Sequence, residues 1–232
     1  METLPKGYTL EIPAGGFPLS TDSMALSEFV RLSRSARVLD LGSGCGTLGL
    51  LLCSQWERCT VTGMEISEAA HKAALRNIER NGLQDRMESI CADLCTVPAL
   101  FPSGSFSSVV SNPPYFSGGP RSLTQGPARR EELCSAEELM ASAAWSLKYG
   151  GDFFLVHRPE RLAELIALGD RRGLICKKLR LLRHRPGDPA ALVLLQLRKG
   201  AKPGLILEEL VLQNPDGSPT EDYKRIYHME EN

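Results

Sequence analysis

Asp40-Leu41-Gly42-Ser43-Gly44-Cys45-Gly46 closes the apolar run Ala36–Gly42 (ARVLDLG) and opens Cys45–Gln55, whose apolar residues recur at helical spacing. A strand that passes into a helix through glycines marks a βα unit, because glycine permits the tight turn and lets a ligand approach the helix N–H groups. The same alternation continues outward. Arg58–Ile66, Arg86–Leu94, Phe106–Ser111, Asp152–His157 and Leu192–Arg198 read as further strands. Ser67 is an N-cap for a helix over Glu68–Arg80 that Asn81 and Gly82 end, and helices follow at about Ala136–Leu147 and Glu160–Arg172. This predicts an α/β fold with a mostly parallel sheet, helices on both faces and ligands at the carboxyl ends of the strands. After Gly200, Leu205–Leu212 and Thr220–Tyr227 around the Asn-Pro-Asp-Gly turn at 214–217 predict a small antiparallel β addition.

The 232 residues suffice for one α/β domain with appendages: a lead-in at 1–35, the main domain at 36–200 and the β addition at 201–232 packed on it. A 42% hydrophobic and 24% charged composition, with no apolar run near the ~18 residues of a membrane span, excludes a transmembrane protein. Met1–Gly16 lacks the basic and apolar regions of a signal peptide, so the expected compartment is the cytoplasm. Seven cysteines without a C-x-x-C pair, mostly in apolar segments, read as buried thiols. Cys91 and Cys95 have no nearby histidine, so no metal is expected. His71, His157, His184 and His228 read as surface, strand-end, basic-cluster and tail residues. The net charge of −1 conceals a cluster of seven Lys and Arg within Arg171–Arg185, which suits a polyanionic partner. Ser117–Arg130, rich in Gly, Pro and Arg, reads as a loop leaving a strand end.

Gly44–Gly49 satisfies G-x-G-x-x-G literally, and Glu65, closing the second strand, can accept from both hydroxyls of a ribose. Both features suit a dinucleotide as well as S-adenosylmethionine. Asp40 discriminates: an acid two residues before the first glycine opposes a pyrophosphate but suits an ammonium and a sulfonium. Asp93, closing the third strand, can accept from an adenine amine, with Ala92 and Leu94 against the ring. The acid-glycine-acid-acid order resembles that of the class I S-adenosylmethionine-dependent methyltransferases. The resemblance implies their Rossmann-like fold, with a seven-stranded sheet. It also implies a cofactor pocket that includes Asp40, Gly42, Gly44, Gly46, Glu65, Ile66, Asp93 and Leu94.

Asn112-Pro113-Pro114-Tyr115 leaves the fourth strand with the chemistry of amine methylation. A planar amine is a poor nucleophile because its lone pair is delocalised. The Asn112 side-chain oxygen and the Pro113 carbonyl can grip its two N–H groups and favour pyramidal geometry. Prolines fix the carbonyl, and Tyr115 offers a stacking face worth roughly 1–3 kcal/mol for a base. The motif belongs to adenine-N6, cytosine-N4, guanine-N2 and glutamine-amide enzymes alike. It fixes the reaction and leaves the substrate open.

Gly16-Phe17-Pro18-Leu19-Ser20-Thr21-Asp22-Ser23-Met24-Ala25-Leu26 resembles the lead-in of the bacterial valine-tRNA adenine-N6 methyltransferase family, which modifies position 37. The resemblance continues through G-M-E-I at 63–66, A-D-L at 92–94, N-P-P-Y-F at 112–116, L-V-H-R-P at 155–159 and the ending around Gly217–Tyr223. It implies that the lead-in covers the cofactor, adding Phe17, Thr21 and Asp22 to Asn112 as cofactor-pocket candidates. Thr21 or Asp22 also reads as the N-cap of a helix over Ser23–Leu32. Arg130 stands where the family pattern has His, so no role is carried onto it. The implied partner is tRNA, held by Arg129, Arg130 and the Arg171–Arg185 stretch, with no obligate protein partner evident. Glutamine N5-methylation of a protein, rRNA amine methylation and a non-catalytic scaffold are the alternatives. Against the first, the chain has neither the helical N-terminal domain nor the Pro-Arg-x-x-Thr-Glu stretch of the release-factor methyltransferases.

Overall fold

The computed structural model describes residues 1–13, 15, 18–113 and 135–229. A short hairpin, β1 (Glu2–Thr3) and β2 (Thr9–Leu10), precedes α1 (Thr21–Phe29). The alternating core follows: β3 (Arg37–Leu41), α2 (Thr47–Gln55), β4 (Thr60–Glu65), α3 (Glu68–Arg80), β5 (Met87–Cys91), α4 (Val97–Leu100) and β6 (Phe106–Ser111). Then come α5 (Ala136–Ser146), β7 (Leu147–His157), α6 (Leu162–Arg171), β8 (Leu174–Arg183), β9 (Leu192–Lys199), β10 (Ile206–Val211) and α7 (Glu221–Ile226).

Eight strands form one sheet in the order β10-β8-β9-β7-β6-β3-β4-β5. Neighbours pair in parallel except that β9 runs antiparallel to both β7 and β8. The strands are apolar on both faces because each face is covered. Val38, Phe154, Val156 and Leu194 point into a core shared with α1, α2 and α3, while Leu39, Leu41, Phe153, Leu155 and Leu195 point into one shared with α5 and α6. Among the described residues no helix is long and apolar enough to cross a membrane.

Three expectations change. The segment after Gly200 is not an antiparallel addition: β10 pairs in parallel with β8, extending the same sheet, and 221–226 is helical. Thr220 caps that helix by accepting the Tyr223 N–H at 3.1 Å, and Glu221 and Asp222 favour its positive end. The second change is that the Arg171–Arg185 stretch is mostly strand β8. Its cations meet acids: Lys178 and Arg180 pair with Glu208, Arg180 also with Glu28, Arg183 with Glu209 and Arg172 with Glu137. Arg180 is 8% exposed, its guanidinium 4.9 Å from the Phe29 ring centroid. Third, Cys91 and Cys95 are exposed, Cys91 at the end of the edge strand β5 and Cys95 in the short 3-10 turn after it.

Candidate active site

The strand order reverses between β3 and β6, and the crevice at such a reversal is where open α/β sheets take ligands. Ser111 Oγ donates to Leu41 O at 2.7 Å, tying the end of β6 to the end of β3. The glycine turn and Asn112 therefore leave adjacent strands side by side.

The turn is built from backbone. Gly42 and Ser43 N–H both donate to Met64 O at 2.9 Å, and Gly42, Gly44 and Gly46 have φ of +75°, +58° and +87°. A Cβ on Gly42 or Gly44 would meet nothing within 4 Å, so these two face open space. Gly49 serves packing instead: a Cβ there would lie 2.5 Å from Met87 Cε, so the glycine sets how closely α2 lies on the sheet. Glu65 braces the turn from β4, Oε2 accepting the Gly44 N–H at 2.9 Å and Oε1 the Ser67 N–H at 2.7 Å. Roughly half of a carboxylate's lone-pair sites stay available.

Asp40 is 1% exposed and its Oδ2 has no hydrogen-bond partner. Burial, with the Glu65 charge adding to it, pushes its carboxyl up to about 7. Ser43 Oγ is likewise buried without a partner. An unsatisfied acid beside open glycines and a ribose-competent carboxylate fits a cationic nucleoside without phosphate, which is the chemistry of S-adenosylmethionine. Farther along the same edge, Ile66 is 41% exposed, and Ala92, Asp93 and Leu94 are half-buried. Asp93 also has a local task, its Oδ1 accepting the Cys95 N–H at 2.8 Å to cap a short 3-10 turn. Among the described residues no group of three His, Cys, Asp or Glu could hold a metal ion.

Helix α1 starts at Thr21, two residues before the expected Ser23, with Ser20 as its cap. Thr21 Oγ1 lies 2.7 Å from Tyr227 OH, so its hydroxyl is bound to the C-terminal segment. Burial raises the Asp22 carboxyl, its own backbone N–H and Arg158 opposing that shift. Asn112 is half-buried and donates from Nδ2 to Ser23 Oγ at 2.9 Å; Pro113 is buried. Phe17, Pro114, Tyr115, Arg129 and Arg130 lie outside the described residues. Sequence reasoning gave no role to Ser23, Ser43 or Tyr227; no spacing rule marks them, since their partners are 70 or more residues away or absent.

Residues 20–168 match the model of the methyltransferase small domain family. A tRNA1(Val) (adenine(37)-N6)-methyltransferase of Bacteroides fragilis is 28% identical over 188 residues, 79% of this chain and 78% of its own. Protein Atu636 of Agrobacterium tumefaciens, described as a predicted O-methyltransferase, superposes with a TM-score of 0.73 at 26% identity over 89% of this chain and 95% of that one. A 16S rRNA N2 methyltransferase of Thermus thermophilus, solved with AdoMet and guanosine, superposes with a TM-score of 0.56 at 25% identity over 78% of this chain and 44% of that one.

Proposed function

Because the chain belongs to the methyltransferase small domain family, we propose that it is the enzyme that methylates the exocyclic N6 of adenine 37 in a valine tRNA, in the cytoplasm. The observation that carries the reading is the junction of β3 and β6, where a cation-competent acid and an amine-competent carboxamide leave adjacent strands. When bound, S-adenosylmethionine would supply a methyl group on a sulfonium, from which a neutral thioether is a good leaving group. Asp40 would face its ammonium, Glu65 its ribose, and Asp93 its adenine amine between Ile66 and Leu94. Gly42, Gly44 and Gly46 would admit it, and Phe17 and Thr21 would close over it.

At the acceptor, Asn112 Oδ1 and the Pro113 carbonyl would each accept one N–H of the adenine amine, turning its lone pair toward the methyl group. The fixed φ of proline would hold that segment, and Tyr115 would stack on the flipped base. No base is needed before transfer, since the amine proton becomes acidic only once the nitrogen is cationic. Arg129 and Arg130 would take phosphates near the flipped base. From Arg171–Arg185 the cations left for RNA are Arg171, Lys177 and Arg185, because the others answer acids of this chain.

Labelled methyl transfer into total tRNA, rRNA and protein, with mass spectrometry of the modified unit, tests the reading. N6-methyladenosine in tRNA is expected; methylglutamine in protein, or a methylated base in rRNA alone, would overturn it.

A further inference from the structure

Among the described residues the Asn112 carboxamide makes a single hydrogen bond, the 2.9 Å one from Nδ2 to Ser23 Oγ, and its Oδ1 accepts none. That bond spans 89 residues of sequence and joins the exit of β6 to the first turn of α1. Its geometry bears on the acceptor chemistry. The last torsion of an asparagine is broad and roughly two-fold, so an unrestrained carboxamide presents its oxygen or its NH₂ with little preference. Only the oxygen can grip an amine; the flipped group would set donor against donor.

Ser23 is well placed to hold the carboxamide as found, accepting from its Nδ2. It is 7% exposed, and its own backbone N–H is held by Ser20 Oγ at 3.4 Å. The helix that carries it is fixed at three further points: Thr21 to Tyr227 at 2.7 Å, Glu28 to Arg225 at 3.1 Å, and Glu28 to Arg180. The Ser23 hydroxyl therefore sits on a rigid mount, and a carboxamide bonded to it through Nδ2 keeps Oδ1 for the crevice.

We infer that Ser23 is a positioning residue for the methyl acceptor, holding the Asn112 carboxamide so that Oδ1 meets the amine. This rests on the role proposed above for Asn112. It gives the helix proposed to close over the cofactor a second task, on the acceptor side.

Five variants test it: Ser23→Ala, Ser23→Thr, Ser23→Val, Asn112→Ala, and Ser23→Ala with Asn112→Ala. The substrates are an unmodified valine tRNA transcript and saturating labelled S-adenosylmethionine, under single-turnover conditions. Ser23→Ala is expected to slow transfer about tenfold, the scale of one lost hydrogen bond. Donor affinity by calorimetry should stay within about twofold, since the bond acts on the acceptor side. Ser23→Thr, which keeps the hydroxyl, should recover most of the rate, whereas Ser23→Val, of the same shape, should not. In the Asn112→Ala background, Ser23→Ala should produce no further loss, because its effect passes through the missing carboxamide. A readout independent of turnover is the Asn112 side-chain amide NMR signal, identified by its disappearance in Asn112→Ala. In Ser23→Ala it should shift and exchange faster with solvent. A wild-type rate in Ser23→Ala, rescue by Ser23→Val, or a loss that multiplies that of Asn112→Ala would each overturn the assignment. The last of these leaves Asn112 in its role, whereas a wild-type rate in Asn112→Ala itself would remove that role and this inference with it.

Discussion

Glu65 and Gly44 are joined by a 2.9 Å bond from the Gly44 amide to Oε2, so the carboxylate proposed to hold the ribose also holds the turn that admits it. Replacing it should therefore have two effects. Glu65→Ala is expected to weaken S-adenosylmethionine binding by roughly 1.5–3 kcal/mol, ten- to a hundredfold. It should also lower the melting temperature of the unliganded protein, because the Gly44 and Ser67 amides lose their acceptor. Calorimetry and thermal melts measure the two separately. Unchanged donor affinity would put Glu65 outside the cofactor pocket.

The buried Asp40 should make the unliganded protein less stable as pH rises. Its carboxyl titrates near 7 in the folded chain against an ordinary 3.8, because burial and then the Glu65 charge disfavour ionisation. Between those values the unfolded chain has released a proton that the folded chain keeps. Its contribution to stability is thus full below about pH 4 and is lost as pH climbs through 7, in total on the order of 4 kcal/mol. Asp40→Asn should flatten this dependence in urea melts at pH 5 and pH 8. A variant with the wild-type slope would show that another group titrates there.

A cationic donor beside Asp40 favours its ionised form. Binding near pH 6 should then release a proton, visible as a buffer-dependent heat in calorimetry. Asp40→Asn should abolish that dependence and weaken binding. Equal heats in buffers of different ionisation enthalpy would separate Asp40 from the ligand's charge.

Asn112→Ala should leave donor affinity nearly intact and lower the methylation rate at saturating substrates by about two to three decades, because its oxygen acts mainly on the transition state. Rapid-quench measurement of a single turnover distinguishes this from slow product release.

The cations divide into two groups that salt titration can tell apart. Changing Arg129 and Arg130 together to Ala should raise the tRNA KM and flatten its salt dependence by about one unit of slope per lost contact. Changing Lys178 and Arg183 should leave that slope alone, because both answer Glu208 and Glu209 within the sheet. The reverse result would put the β8 face on the RNA.

Helix α3 was readable to the residue because its signals are local: Ser67 accepts the Ala70 N–H as cap, and Asn81 and Gly82 stop the helix. Strand β8 was not. Its apolar alternation is interrupted by lysines and arginines whose partners, Glu28, Glu208 and Glu209, lie far off in sequence, so a paired interior strand reads as a free basic patch. The same holds at the site. Asp40, Glu65 and Asn112 stand at strand ends and announce themselves, whereas Ser23 acquires meaning only when α1 is folded against β6. Thr220–Tyr227 reads as a strand beside the Asn-Pro-Asp-Gly turn, although Thr220 as cap and the two acids after it are a local helix-start signal.

The ion cluster around Glu28 has a consequence for the order in which the molecule becomes complete. Glu28 reaches forward 152 residues to Arg180 and 197 residues to Arg225. Burial alone would raise its carboxyl; Arg180, with Arg225 and Arg31, reverses that and holds it below the ordinary value. Until both arginines have left the ribosome, Glu28 has only the exposed Arg31 as a counterion, although Met24, Leu26 and Phe29 can already pack α1 on the core. A nascent chain ending near residue 170 already has the glycine turn and all the parallel strands from β3 to β7. Its α1 would dock by its apolar face and still lack the ion pairs supplied by β8 and α7. The crevice is thus assembled from early residues, and the ion cluster that ties α1 to the end of the chain is completed last.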